Sequence, residues 1–318
     1  MKGDDGLRVG WIGAGRMGQA LAGRLIDAGQ DLTIYNRTRS KCEALEQRGA
    51  KIVDSPAELA DRDLVFTMVA ADEDFKAVVL GPNGLLADPD IAPRLLVDST
   101  TVSAAAAEVV RAAAAQRGMA VIAAPVSGNP KVAAAGRLTI VASGPADAFE
   151  QARPTIELLC SRVTYVGEGE RARLVKICHN LMLGVVAETL AEITLLAEKG
   201  GVARADFLAF LNDSVMGSTF TRYKTPAFVN LDFTPSFTPA LLLKDFKLGR
   251  SAADELGGLP MPVVEAAQEV VAAVVDSGKY DDVDFAVLLE VLARAADIEL
   301  VSEDVTVDDG LKTLAPAP

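Results

Sequence analysis

Residues 8–18 read Arg8-Val-Gly-Trp-Ile-Gly-Ala-Gly-Arg-Met-Gly18, and this segment is the most informative part of the chain about its fold. Its apolar run ends in a Gly-x-Gly-x-x-Gly turn, after which a helical pattern continues to Gly29. Gly13 permits a tight turn, Gly15 lets the backbone approach a pyrophosphate, and Gly18 allows the helix to pack closely on the strand. A helix N-terminus at this point offers N–H donors to phosphate. The pattern predicts a dinucleotide-binding turn whose contacts are Gly13, Ala14, Gly15, Arg16, Met17 and Gly18.

Strand-like and helix-like segments alternate along the chain to about residue 165. This alternation predicts an α/β architecture with a doubly wound, largely parallel sheet of the Rossmann type. From about residue 170 the strand signals end and long helical patterns follow, which predicts an all-helical C-terminal domain. We therefore expect a nucleotide-binding domain over 1–168, a helical domain for substrate binding and dimerisation over 169–300, and a loose acidic tail over 301–318.

The residues after the second predicted strand bear on which dinucleotide binds. The strand Asp31-Leu-Thr-Ile-Tyr35 is followed by Asn36-Arg-Thr-Arg-Ser-Lys41. A carboxylate that would bind the ribose hydroxyl of NAD, about 20 residues beyond the glycines, is missing there. Asn36, Arg37 and Thr38 instead suit a 2′-phosphate, which an arginine binds by charge-assisted hydrogen bonds. The pattern favours NADP over NAD; the alternative is that these cations only solvate the start of a helix.

Lys176 and Asn180 lie four residues apart in a helical pattern, so their side chains share one face. An ammonium and an amide placed in this way can converge on one substrate oxygen. The ammonium is a candidate proton donor, since burial and neighbouring cations lower the pKa of an amine, and the amide can orient the oxygen. A solvated lysine on an amphipathic helix is the simpler alternative.

Composition narrows the classes of partner. The chain has 318 residues, half of them apolar, and carries a net charge of -13, which argues against a nucleic-acid surface. The apolar helix predicted over 181–197 contains Glu188 and Glu192, and it reads as a buried core helix that spans no membrane. Its apolar surface exceeds one face, which favours at least a homodimer built on the helical domain.

The termini and the cysteines indicate the compartment. The N-terminal residues lack the apolar stretch of a signal peptide, and the three cysteines form no Cys-x-x-Cys pair. We therefore expect a cytoplasmic protein. The sequence contains no recognisable ligand set for zinc, so no metal is expected.

The chain resembles the β-hydroxyacid dehydrogenase family, which includes 3-hydroxyisobutyrate dehydrogenases, tartronate semialdehyde reductases and glyoxylate/succinic semialdehyde reductases. The resemblance runs from Val9 to about Ala295. The matching blocks are Gly13-Ala-Gly-Arg-Met-Gly18, Asn36-Arg-Thr38, Asp98-Ser-Thr-Thr101, Ala124-Pro-Val-Ser-Gly128, Lys176 with Asn180, and Lys244-Asp245 before Leu248.

The resemblance implies an oxidoreductase that uses NADP to interconvert a small β-hydroxyacid and its aldehyde or ketone. It implies that Lys176 is the general acid/base, that Asn180 holds the substrate and that Lys244 approaches the nicotinamide. It further implies a helical domain that interlocks with a partner subunit. It also implies that Ser127 and Gly128 bind a substrate carboxylate. We further predict that Val69 and Thr101 contact the cofactor, and that Thr101 and Asn129 complete the wall around the carboxylate.

Several positions depart from the family pattern. Asn129 stands where the family has a second glycine, and Glu170 and Ala172 stand where it has Gly-x-Gly before the lysine. Ala123 replaces a common aspartate, and Thr100 replaces a serine. These changes alter the wall that binds the acid, so the substrate itself is not specified.

Two other functions are compatible with this architecture. Imine reductases share it and prefer NADPH, but they generally lack a lysine at the position of Lys176. A non-catalytic dinucleotide-binding module is the second alternative, and the presence of both Lys176 and Asn180 argues against it.

Overall fold

The structure, a computed structural model, describes residues 7–311. The chain divides into two compact units, Met1–Lys176 and Ile177–Pro318. The boundary falls inside helix α7 (Arg171–Lys199), whose first turn belongs to the first unit.

The first unit alternates strands and helices, as the sequence predicts. Its strands are β1 (Val9–Ile12), β2 (Leu32–Tyr35), β3 (Lys51–Val53), β4 (Leu64–Thr67), β5 (Leu95–Asp98), β6 (Ala120–Ala123), β7 (Val126–Ser127), β8 (Thr139–Ala142) and β9 (Arg162–Tyr165). Its helices are α1 (Arg16–Asp27), α2 (Glu43–Glu46), α3 (Asp72–Leu80), α4 (Ala104–Gln116), α5 (Pro130–Ala134) and α6 (Ala146–Glu157), with short 3-10 helices at Arg39–Cys42 and Pro56–Leu59.

Six strands form a parallel sheet in the order β3-β2-β1-β4-β5-β6. Every residue of β1, β4 and β5 is buried, which is expected of strands covered by helices on both faces. The order reverses between β1 and β4, and ligands of such sheets bind beyond the carboxyl ends of the strands at this switch point. The predicted Rossmann-type architecture is confirmed.

The last three strands do not continue the parallel sheet. They form a small second sheet in the order β7-β8-β9, in which β7 runs antiparallel to β8 and β8 runs parallel to β9. A single antiparallel bridge between Ala123 and Ser143 joins the end of β6 to the chain after β8. The chain therefore reverses direction after β6, which the alternation of elements alone does not reveal.

The described part of the second unit is helical. Beyond α7, its helices are α8 (Arg204–Asp213), α9 (Thr219–Asn230), α10 (Pro239–Glu255), α11 (Pro262–Asp276) and α12 (Leu288–Ala295), with a 3-10 helix at Phe285–Val287. By length and composition alone α7 could cross a membrane, and half of its most apolar window is buried. Leu181 and Leu190 lie in two clusters of buried side chains, together with residues of the other helices. Helix α7 therefore forms part of the core of this unit.

The chain after α12, where the sequence predicts a loose tail, is hydrogen-bonded to Arg204 at Val301 and Glu303. Arg204 is 1% exposed, and its guanidinium donates to the Val229 carbonyl at 2.9 Å and to the Val301 carbonyl at 2.5 Å. The Glu303 carboxylate accepts from the Arg204 N–H at 2.7 Å. These contacts hold an irregular backbone in place without a helix or strand. Residues 312–318 lie outside the described residues.

Candidate active site

The glycine turn after β1 has the shape that a pyrophosphate requires. Gly13 has φ +104°, and a Cβ there would lie 2.1 Å from the Met68 carbonyl oxygen. A Cβ at Gly18 would lie 2.0 Å from the Gly13 oxygen, so only glycine allows α1 to come this close. At Gly15, in contrast, a Cβ would meet nothing within 4 Å and would extend into open space over the helix N-terminus.

The N-cap residue of α1 is Gly15, which has no side chain with which to cap the helix. An anion can approach the helix N-terminus here, where the helix dipole favours negative charge. The residues present fit a dinucleotide. Ala14 and Met17 complete the turn, and Arg16 is exposed at the first position of the helix.

Asn36 braces this turn from the neighbouring strand. Its side-chain oxygen accepts from the Ala14 N–H at 2.8 Å, and its amide nitrogen donates to the Thr38 carbonyl at 2.8 Å. Both polar atoms of Asn36 thus contact protein. Asn36 therefore shapes the loop, and its contact with the cofactor stays a prediction.

The two arginines of the predicted phosphate site each lie beside a carboxylate. Arg37 donates to Asp74 of α3 at 3.0 Å, and Arg39 donates to Asp54 at 2.9 Å. The Arg37 side chain is 84% exposed, so water screens its ion pair. Exposed pairs of this kind contribute about 0–1 kcal/mol, which a phosphate can readily outweigh.

A fully buried aspartate, Asp98, organises the carboxyl ends of β4 and β5. Its Oδ1 atom accepts from the Thr67 hydroxyl at 2.6 Å and from the Thr100 N–H at 3.2 Å. The Thr100 hydroxyl in turn accepts from the Val69 N–H at 3.1 Å. The predicted cofactor contacts Val69 and Thr101 thus lie on, or next to, backbone that these bonds hold in place.

The second carboxylate oxygen of Asp98 binds Arg173 in the first turn of α7, at 2.6 Å. Arg173 also donates to the Thr100 carbonyl at 2.7 Å and to the Glu170 carboxylate. Sequence reasoning does not identify Arg173, because no local pattern links residues 75 positions apart.

The predicted carboxylate site has a glycine that its geometry requires. Gly128 has φ +135°, and a Cβ there would lie 2.8 Å from a methyl group of Val132. Ser127, just before it, ends β7 and is half-buried. Asn129 is the N-cap of α5, and its side-chain oxygen accepts from the Val132 N–H at 2.9 Å. The side-chain oxygen of Asn129 is thus used to cap α5. The amide N–H groups of the same side chain are the atoms that suit a substrate carboxylate.

Lys176 and Asn180 both lie on α7, one helical turn apart, as predicted. Lys176 is half-buried and Asn180 is 4% exposed. The Asn180 amide donates to Asp245 of α10 at 2.5 Å. Because a carboxylate only accepts, this bond fixes which end of the amide is nitrogen.

Asp245 also connects Asn180 with the predicted cofactor contact Lys244. The Lys244 ammonium lies 3.7 Å from Asp245 Oδ1. On the other side of Asn180, the side-chain oxygen lies 2.9 Å from Nδ1 of the exposed His179, a contact that is a hydrogen bond in the tautomer with the proton on Nδ1. Sequence reasoning placed Asp245 in a matching block without a role, and its role as the partner of Asn180 follows only from the packing of α10 on α7.

Comparison with known proteins agrees with these two units. The family described as the NAD binding domain of 6-phosphogluconate dehydrogenase matches residues 8–167. The family described as NAD-binding of NADP-dependent 3-hydroxyisobutyrate dehydrogenase matches residues 170–292. The chain belongs to the β-hydroxyacid dehydrogenase family. It is accordingly an NAD(P)-dependent oxidoreductase of the hydroxyacid dehydrogenase type, a class that acts on CH–OH groups.

Individual proteins to which this chain is similar match about nine-tenths of its length. Glyoxylate/succinic semialdehyde reductase 1 of Arabidopsis thaliana is 28% identical over 284 residues, which make up 89% of this chain and 98% of that protein. The structure of Mycobacterium tuberculosis 3-hydroxyisobutyrate dehydrogenase with L-serine has a TM-score of 0.77, is 26% identical, and covers 90% of this chain and 99% of its own. The structure of Psf3 in complex with NADP+ and 2-OPP has a TM-score of 0.80 and is 27% identical. The match covers 89% of this chain and 99% of the Psf3 chain.

Proposed function

We propose that this β-hydroxyacid dehydrogenase interconverts a small β-hydroxyacid and the matching aldehyde or ketone, with NADP as cofactor and Lys176 as general acid/base. The observation that carries the proposal is the pairing on α7: Lys176 lies one turn from Asn180, whose amide orientation is fixed by Asp245. A buried amide held in one orientation is suited to positioning a substrate oxygen beside an ammonium.

The nicotinamide, when bound, supplies or takes up the hydride at the substrate carbon. The chain's own residues manage the proton. In reduction the Lys176 ammonium gives a proton from Nζ to the carbonyl oxygen as negative charge develops there, and in oxidation the amine takes it back. One N–H of the Asn180 amide binds Asp245, and the second can donate to the same substrate oxygen.

The preference for NADP over NAD rests on the loop after β2. Arg37 is exposed and is held only by a screened ion pair with Asp74, so it can turn to a 2′-phosphate. The name of the second matching family, which refers to an NADP-dependent dehydrogenase, and the NADP+ bound to Psf3 support this choice.

A carboxylate on the substrate is supported by the wall at the end of β7. Ser127 supplies a hydroxyl and backbone, and Gly128 in its left-handed conformation lets an anion approach the main chain. Thr101 and the amide nitrogen of Asn129 complete the proposed wall. The dehydrogenase solved with L-serine binds a molecule that carries both a carboxylate and a β-hydroxyl group.

We further propose a cytoplasmic homodimer built on the helical unit, with no nucleic-acid or membrane partner. Met182 and Leu196 of α7 are 70% and 73% exposed, which leaves apolar surface for a second copy to cover. Light scattering at micromolar protein is expected to give at least twice the chain mass of 33.3 kDa. A mass of one chain would refute the dimer, and recovery from a membrane or nucleic-acid fraction of the cell would refute the other assignments.

The reaction is tested by following NADPH absorbance with a panel of semialdehydes, 3-hydroxyacids and cyclic imines. We expect turnover of a carboxylate-bearing carbonyl, and Lys176→Met should lower it by ~10²–10⁴-fold with little change in the dissociation constant of NADPH. Turnover of imines alone would favour an imine reductase. Tight NADPH binding without any turnover would favour a non-catalytic module.

A further inference from the structure

We propose that Arg173 is a positioning residue that places Lys176 by tying the first turn of α7 to the carboxyl ends of β4 and β5. This inference rests on the proposed function, in which Lys176 exchanges the proton. Arg173 and Lys176 lie three residues apart on the same helix, so the side chain that anchors the turn and the one that carries the proton are neighbours.

The guanidinium of Arg173 makes contacts in several directions from a site that is only 5% exposed. It donates to Asp98 at 2.6 Å and to the Thr100 carbonyl at 2.7 Å, and its carbon lies 5.9 Å from the centre of the Phe75 ring. The guanidinium is planar and its donors have fixed directions. Because it binds acceptors on two different residues, the start of the helix has little freedom to slide or rotate.

The anchor itself is rigid. Asp98 is fully buried, and its other oxygen is occupied by the Thr67 hydroxyl and the Thr100 N–H. Because Thr100 also binds the Val69 N–H, the backbone that is predicted to meet the cofactor and the helix that carries Lys176 share one hydrogen-bond network. The bonds between Thr67 and Asp98 and between Val69 and Thr100 do not involve Arg173, so the cofactor-facing backbone keeps them when Arg173 is replaced, whereas the start of α7 loses its anchor.

A second brace comes from the residue that departs from the family pattern. Glu170, which stands in place of a glycine, pairs with Arg173 and with Arg111 of α4. A flexible glycine turn is thereby replaced by an ion-pair cluster that links the helix start to α4. Arg111 and Glu170 are 24% and 20% exposed, so this second brace is partly open to water, and the buried contacts of Arg173 with Asp98 and Thr100 are the main anchor.

The test uses Arg173→Met, which removes the charge, and Arg173→Lys, which keeps a cation beside Asp98 but loses the contact with Thr100. A misplacement of about 1 Å can lower a rate by ~10²-fold, so we expect kcat to fall by roughly 10- to 100-fold in Arg173→Met and less in Arg173→Lys. The dissociation constant of NADPH, measured by fluorescence, should change by no more than a few fold. If Arg173→Met does not fold, the lysine variant alone decides the question by the same two measurements.

The decisive measurement is a double-mutant cycle with Lys176→Met. If Arg173 acts through Lys176, Arg173→Met lowers kcat in the native background and has almost no further effect once Lys176 is replaced. Equal losses in both backgrounds, or an NADPH dissociation constant that rises as much as kcat falls, would overturn the inference.

The control is Arg153→Met. Arg153 also pairs with a glutamate three residues earlier, Glu150, and lies 4.8 Å from the centre of the Phe149 ring, but it is 41% exposed on α6. The Arg153→Met substitution should leave kcat unchanged. Full turnover in Lys176→Met would refute the proposed function. If Lys176→Met loses turnover while Arg173→Met and Arg173→Lys keep it, only the positioning role is refuted.

Discussion

Glu188 should make the stability of this protein depend on pH around neutrality. It lies in the middle of α7, is 6% exposed, and neither of its carboxylate oxygens has a hydrogen-bond partner among the described residues. Burial, with a smaller effect from Glu192 one turn away, raises the pKa of Glu188 from 4.5 to about 7. At about 1.36 kcal/mol per pKa unit, this shift corresponds to about 3 kcal/mol.

The sign follows from which state binds the proton. The pKa is higher in the folded protein than in the unfolded chain, so the stabilising contribution is complete below pH 4.5 and is lost as the pH rises through about 7. In Glu188→Gln this site no longer titrates. The variant should therefore match the unmutated protein near pH 4.5 and exceed its free energy of unfolding by up to about 3 kcal/mol at pH 8.

The assay is urea unfolding followed by circular dichroism at several pH values, at one fixed protein concentration because assembly affects apparent stability. The difference between variant and unmutated protein isolates Glu188 from all other titrating groups. Glu192→Gln is the matched control, since it removes an exposed carboxylate from the same helix and should change the difference only slightly. Parallel stability curves for Glu188→Gln and the unmutated protein would show that Glu188 does not titrate with a raised pKa.

Three further predictions concern the cofactor loop, the substrate wall and the C-terminal segment. Arg37→Asp should weaken NADPH binding by about 2–4 kcal/mol while NADH binding is retained, and equal affinities for the two cofactors in the unmutated protein would contradict the NADP preference. Asn129→Gly should lower the stability by a few tenths of a kcal/mol through the weaker cap of α5 and reorder the substrates, whereas a uniform loss across substrates would assign Asn129 to the fold alone. Arg204→Met should lower the free energy of unfolding by about 3–5 kcal/mol in urea titrations, because it leaves buried partners unpaired; a change under 1 kcal/mol would refute this.

Local patterns predicted the parts of the site that depend on one segment of chain. The turn from Gly13 to Gly18 follows from the space that a Cβ would need, and the shared face of Lys176 and Asn180 follows from the period of a helix. The parallel sheet followed from the alternation of strand and helix. In each case the physical cause acts over a few neighbouring residues, so the sequence shows it directly.

The nucleotide fold, the family and the helix that carries the proposed proton donor were therefore predictable from residue patterns. Which side chains hold those residues in place depends on contacts between distant elements. Asp98 meets Arg173 across 75 positions, and Asn180 meets Asp245 across 65. Such pairs depend on how whole elements pack against one another, and a buried charge is stable only where the packing brings it a partner.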